Sequence, residues 1–278
     1  MRVRSGRAAA VLAAAAVGAI ALLWSAPFIW MIVASLRPDS YGALDIASLL
    51  PSWPPSLANF RLAWESADFP LNYANTLMVV AGTLSVQLVT ISLAGYAFAR
   101  LQFPGRDLIF YLFLLQLMIV PPVLIVPNLK TVTRLGIYDT LWAVMVPYWA
   151  SAFGTFLMRQ TFRGIPRDFE DAAEIDGCTF FQTLRYVLLP LAKPALIAFG
   201  IVSVVAHWNE FLWPLMVIDS PSHRTLTLGL ASFVSGGEGA AEWGLIAAGT
   251  LIVSLPLFAG FIAFQRQFIN SFVLSGIK

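Results

Sequence analysis

Five carboxylates, Asp168, Glu170, Asp171, Glu174 and Asp176, fall within nine consecutive positions, and Arg163, Arg167, Arg185 and Lys193 flank them. No nucleophile, base or metal ligand converges with them, so the chemistry open to the segment is charge and hydrogen-bond recognition rather than catalysis. Apolar stretches lie on both sides, and charged side chains are costly in hydrocarbon, which makes 163–193 a soluble loop held at a membrane face. Pro166 suits the first turn of a helix, Asp168, Glu170 and Asp171 favour its positive dipole end, and Gly177 supplies a left-handed stop. Thr179 stands three residues before Gln182 as a capping box, and a second helix is expected from Phe180 until Pro190 closes it. Phe169, Ala172 and Ala173 share one helical face; Phe181, Leu184 and Leu188 share another. Two short helices with an elbow, one small-residue face and one aromatic-aliphatic face, suit insertion into a groove on a protein partner. Amphipathic helices lying on lipid headgroups are the competing reading, but interfacial helices are usually rich in Lys and Arg, and here acids outnumber bases.

A second polar group lies inside an apolar stretch: Glu210, with Asn209 beside it and His207 about one helical turn earlier. Together with Gln87, Gln116, Tyr148 and Thr90 it could face a solute path or form interhelical hydrogen bonds that fix packing, and both readings stay open. Trp142, Tyr148, Trp149, Trp208 and Trp213 could stack on a sugar, or serve as aromatic belts near the ends of spans.

The elements that must position these groups are membrane helices. Hydrophobic residues make up 59% of the 278 and charged residues only 12%, outside the range of ordinary soluble domains. The apolar segments are long runs of Ala, Leu, Val and Ile without the period-two alternation of barrel strands. The expectation is an all-α polytopic membrane protein, one domain over 1–278, with six transmembrane helices near 8–36, 73–99, 108–128, 141–158, 194–218 and 243–264. The first uncharged run is too long for a cleaved signal peptide. Six spans put both termini on one side, and if that side is cytoplasmic it holds twelve of the 17 basic residues, including Arg2, Arg4, Arg7, Arg100 and Lys278. The acidic loop is then cytoplasmic too. The lone Cys178 in that loop fits a reducing compartment, and a net charge of +2 implies no nucleic acid.

Prolines disturb this plan. Pro38, Pro51, Pro54, Pro55 and Pro70 make 37–72 an external loop with short helical pieces. Pro121, Pro122 and Pro127 should kink or break the third span near its outer end, and Pro147, Pro214 and Pro256 should disturb others. Broken helices are tolerated beside protein or a water-filled cavity, which favours a pathway-lining bundle over a simple anchor.

The run Asp171-Ala172-Ala173-Glu174-Ile175-Asp176-Gly177, followed by Leu189-Pro190 and Pro194, resembles the cytoplasmic EAA loop of bacterial ATP-binding-cassette importer permeases. Ser35-Leu36-Arg37-Pro38, Ala94-Gly95-Tyr96-Ala97-Phe98-Ala99-Arg100, Trp208-Asn209-Glu210-Phe211-Leu212-Trp213-Pro214-Leu215, Thr227-Leu228-Gly229-Leu230 and Phe264-Gln265-Arg266 resemble the maltose-type, carbohydrate-uptake branch. The resemblance implies a type I ABC importer permease fold paired with a second, homologous permease subunit, two copies of an ATPase subunit and an extracytoplasmic solute-binding protein. It also implies a coupling role for Glu170, Asp171, Ala172, Ala173, Asp176, Gly177, Phe181, Leu184 and Pro190, docked in a cleft of the ATPase. Asp171 stands where the family usually has glutamate, Cys178 where alanine is common, and Gly276-Ile277-Lys278 is a variant of the usual tail.

A P-loop needs Gly-Lys followed by Ser or Thr, and none of Lys130, Lys193 and Lys278 follows a glycine. ATP and magnesium are therefore expected on a partner ATPase, with no cofactor or catalytic residue on this chain. His207 and His223 fall in separate segments and form no zinc pair. A secondary transporter for a small polar solute is the alternative; it predicts coupling carboxylates or unwound half-helices in two related halves, for which Glu210 alone is thin support.

Overall fold

In a membrane every backbone N–H and C=O needs a partner within the protein, and the long Ala, Leu, Val and Ile runs meet that need as helix. The computed structural model describes residues 2–38, 52–235 and 243–276, with side chains for 10, 12–38, 52–232 and 243–263. Most of those residues are helical, with no strand among them. The side chains of Arg2, Arg4, Arg7 and Arg266, Pro51 of the external loop, and the end of the tail, Ile277 and Lys278, lie outside the described residues.

Among the described residues, three helices are long and apolar enough to cross a bilayer: Leu12–Ser35, Phe69–Arg100 and Trp243–Ala263. Three more candidates are bent pairs, giving up to six spans if each pair is one: Arg106–Met118 with Pro121–Arg134 (105°), Leu141–Tyr148 with Ala152–Gly164 (42°), and Phe180–Leu191 with Lys193–Trp208 (77°). The first bend falls within the expected third span, 108–128, at the prolines expected to kink or break it. The chain turns sharply at Ile119 and Val120, where Pro121 and Pro122 cannot donate to the turn before them. Pro127 breaks nothing, because it falls in the first turn of its helix, where the N–H has no intrahelical partner, whereas Pro214 lies in the first turn that follows an interruption of the expected fifth span, 194–218, at Asn209–Phe211. Pro256 sits inside the unbroken Trp243–Gly276 helix.

The chain divides into two units, 1–68 with 229–256 and 69–228 with 257–278. In the first, α1 (Arg2–Ser35) leaves its apolar side chains exposed, as lipid permits, and Trp30 packs edge-on against Trp243 with centroids 6.2 Å apart. α2 (Ala58–Ser66) is the helical piece of the external loop, pinned by Asn59, whose Nδ2 donates to the carbonyls of Ser35 (3.1 Å) and Arg37 (2.8 Å).

In the second unit α3 (Phe69–Arg100) is the spine. Val79 joins one buried cluster with α5 (Ile125–Arg134), α6 (Leu141–Met145) and α12 (Leu212–Val217), through Val132, Met145 and Trp213. Three turns on, Ile91 joins another with α7 (Ala152–Gly164) and α11 (Lys193–Trp208), through Met158, Phe162 and Phe199. Between the clusters lie the polar Thr83, Gln87 and Thr90. Small residues let the helices close up: a Cβ on Gly95 would lie 2.5 Å from that of Met158, and one on Gly154 2.6 Å from the Phe199 ring.

Candidate functional site

The acidic segment folds as a hairpin. α8 (Asp168–Ile175) begins two residues after Pro166, with the Glu170 and Asp171 N–H groups donating to the Arg167 carbonyl at 2.7 and 3.0 Å. It ends in a Schellman motif: Cys178 N–H donates to Ala173 O (2.9 Å) and Gly177 N–H to Glu174 O (3.0 Å), while Gly177 takes a φ of +78°. α9 (Phe180–Thr183) follows its capping box, in which Gln182 Oε1 accepts from the Thr179 N–H at 2.7 Å.

Pro190 does not close this helix. Residues 184–188 widen into a π turn, and the chain continues through Pro190 in α10 (Leu189–Leu191) before breaking at Ala192. A π turn accommodates what a regular turn would not, since Pro190 lacks an N–H and its ring crowds the carbonyl four residues back.

The expected faces of the hairpin divide between two tasks. Leu184 (5% exposed) and Leu188 (0%) are buried with Met158 and Phe162, so they fix the hairpin to its own bundle and offer nothing outward. Ala173 is buried as well, whereas Asp171, Ala172, Asp176, Gly177 and Cys178 are exposed, as are Phe181 (70%) and Ile175 (87%). Glu170 faces inward: its carboxylate lies 2.6 Å from Arg100 Nε and accepts from the Tyr96 hydroxyl at 3.3 Å. Arg100 Nη2 also donates to the Ile165 carbonyl at 2.7 Å. Phe180 packs edge-on against Tyr96 with centroids 5.0 Å apart. From sequence Tyr96 and Arg100 stand only in the Ala94–Arg100 run that resembles the family, and Phe180 only as the start of the second helix; none of the three is a site residue there.

The second polar group surrounds a cavity of about 450 Å³. Gln87, Gln116, Asn128, Tyr148, His207 and Glu210 line it, with apolar walls from Pro121, Pro122 and Phe153. Asn209 is not among the lining residues; its Nδ2 donates to the Val205 carbonyl at 2.8 Å. Helix breaks shape the cavity. Between the turn at Val146–Tyr148 and Ser151, the N-cap of α7, two carbonyls lose their helical partners. Gln87 Nε2 donates to Tyr148 O at 2.7 Å and Thr90 Oγ1 to Trp149 O at 2.8 Å. Gln87 is thus 4% exposed and committed to packing, although it borders the space.

Glu210 accepts from the Trp213 N–H at 3.2 Å. The His207 ring meets Tyr148 edge-on at 4.9 Å, and His207 Nδ1 lies 2.7 Å from the Ser203 carbonyl. Trp213 borders the cavity but is 3% exposed, with its indole N–H on Ala143 O at 3.1 Å, and Trp208 is buried against Tyr73. Asn128 was not singled out from sequence.

Residues 91–268 match the family described as binding-protein-dependent transport system inner membrane component. The probable ABC transporter permease protein YurM of Bacillus subtilis (strain 168) is 31% identical, over 91% of this chain and 83% of its own length. The lactose transport system permease protein LacG of Rhizobium radiobacter is 30% identical, over 91% and 90%. Among solved structures, a bacterial ABC transporter involved in import of the acidic polysaccharide alginate superposes with a TM-score of 0.84 at 22% identity, covering 96% of this chain and 99% of that one.

Proposed function

The chain belongs to the binding-protein-dependent transport system inner membrane component family, and from that membership we propose that it carries a carbohydrate or related solute into the cell by alternating access. It is the permease subunit of an ATP-binding-cassette importer, a component of the bacterial plasma membrane. A second permease subunit completes the path and an extracytoplasmic binding protein delivers the solute. Two ATPase subunits bind ATP and magnesium and supply the energy; this chain binds no cofactor and does no covalent chemistry. Both termini and the hairpin face the cytoplasm, in keeping with the distribution of basic residues. The names of relatives support a saccharide, and an ion-coupled secondary transporter is not favoured.

One observation carries the coupling role. The hairpin exposes Asp171, Ala172, Ile175 and Phe181 on its outer side while Glu170, Leu184 and Leu188 lock its inner side to α3, α7 and α11. A cleft that grips the outer side therefore moves the spans through rigid contacts. Asp171, Ala172, Asp176, Gly177 and Phe181 form the docking surface; Glu170, Ala173 and Leu184 hold it in place, and the π turn before Pro190 sets its angle. Around the cavity, Gln116, Tyr148 and Glu210 face the solute, while Gln87 maintains the wall.

The test is purification of the assembled transporter through a tag on this chain. Phe181→Asp is expected to lose the ATPase subunits and solute uptake while the two permeases stay together. Undiminished co-purification together with normal uptake would falsify the docking surface.

A further inference from the structure

We infer that the cavity beside Glu210 selects solutes by charge, admitting neutral and amine-bearing saccharides and rejecting acidic ones. The inference rests on the reading of this cavity as part of the solute path. Among the described residues lining it there is one carboxylate, Glu210, and no lysine or arginine. A carboxylated or phosphorylated solute entering such a space leaves water and needs cations or several free N–H donors in exchange. The donors here are few and partly committed. Gln87 gives its amide to the Tyr148 carbonyl. The amides of Gln116 and Asn128 carry no charge.

Glu210 then meets an anion as a like charge inside partly apolar walls, where Coulomb repulsion is far stronger than in water. For a neutral sugar the same carboxylate is an asset: one hydrogen bond, from the Trp213 N–H, leaves it lone pairs to accept hydroxyls, and an ammonium group adds attraction.

The experiment titrates the assembled transporter, in lipid nanodiscs without ATP, with three probes: maltotriose, the fully deacetylated glucosamine trimer and trigalacturonate. Intrinsic tryptophan fluorescence reports binding, since Trp213 borders the cavity. The glucosamine trimer should bind most tightly, and trigalacturonate roughly tenfold or more weaker than maltotriose. Glu210→Gln keeps an acceptor for the Trp213 N–H and should bring the three affinities within about twofold of one another. Gln116→Arg, which leaves Glu210 in place, should improve trigalacturonate binding by about tenfold. Trigalacturonate binding as tightly as maltotriose, or charge ratios unmoved in both variants, overturns charge selection alone. A flat response to all three probes overturns the solute-path reading, and charge selection with it.

Discussion

Arg100, the last residue of the long helix α3, holds Glu170 of the hairpin at 2.6 Å, although the two stand 70 positions apart in sequence. Their side chains are 9% and 16% exposed, so the pair is largely shielded from solvent, and Arg100 also ties down the Ile165 carbonyl at the hairpin's entrance. Removing one partner leaves the other charge shielded and alone, a loss on the order of 3 kcal/mol, whereas removing both costs less. Arg100→Ala and Glu170→Ala are each expected to lower the melting temperature of the purified complex and to weaken coupling of ATP hydrolysis to uptake. In a double-mutant cycle the combined variant should lose clearly less than the sum of the two single losses. Strict additivity would show that the two residues act independently.

Gly177 sits at the elbow with a φ of +78°, and a Cβ built there meets nothing within 4 Å. Any penalty for substitution is therefore conformational rather than steric. A β-branched residue in the left-handed region costs roughly 1–2 kcal/mol, and asparagine, which tolerates that region, costs less. Gly177→Val should impair both ATPase co-purification and uptake, and Gly177→Asn should retain most of each. Equal activity of the valine and asparagine variants would remove the elbow from the mechanism.

Asp171 is exposed on the outer side of the hairpin and bears no structural hydrogen bond that a longer side chain would break. Asp171→Glu keeps the charge and adds one methylene at a surface position, so uptake should stay within about twofold of wild type. Asp171→Lys reverses the charge at the docking surface and should abolish ATPase co-purification. Complete loss of uptake in the glutamate variant would mean that the side-chain length itself is read.

What was legible in the sequence was local. Gly177, Thr179 and Gln182 act through neighbours within five residues, so the elbow and the capping box follow from residue type and spacing. The partition of the hairpin's faces was not legible, because Leu184 and Phe181 look alike in a helical pattern; only Met158 and Phe162, arriving from α7, decide which is covered. Pro190 misled for a related reason: packing of Leu184 and Leu188 sustains a π turn that residue preferences alone would not produce. Gln87 and Tyr148 each carried a polar signal, but their pairing across 61 positions depends on where the fourth candidate span breaks.

Gln87 separates maintenance of the cavity from contact with solute. Gln87→Leu keeps the volume but leaves the Tyr148 carbonyl without its donor, which costs about 1–3 kcal/mol in a buried site. The complex should melt earlier, yet the solute concentration giving half-maximal uptake should change by less than about twofold. Gln116, exposed to the same space, should show the converse pattern when replaced by Ala. A large shift in half-saturation for Gln87→Leu with unchanged melting would reverse the two roles.

Asp139 supplies a pH-dependent clamp outside the spans. It takes a left-handed φ of +56°, and its carboxylate accepts from the N–H groups of Asp219 and Ser220, both at 2.9 Å, and from the Ser220 hydroxyl. Those donors, the Ser220 hydroxyl first, hold its pKa down to about 2. The unfolded chain protonates near pH 4, about the ordinary aspartate value. Since the folded value lies below the unfolded one, the stability that Asp139 contributes is complete above roughly pH 4 and is lost as pH falls toward 2. Asn tolerates the same backbone conformation but carries no titrating charge. The melting-temperature gap between wild type and Asp139→Asn should therefore stay constant from pH 7 to pH 5 and narrow only below about pH 4. A gap that already closes between pH 7 and pH 5 would remove the Asp139 carboxylate from the clamp.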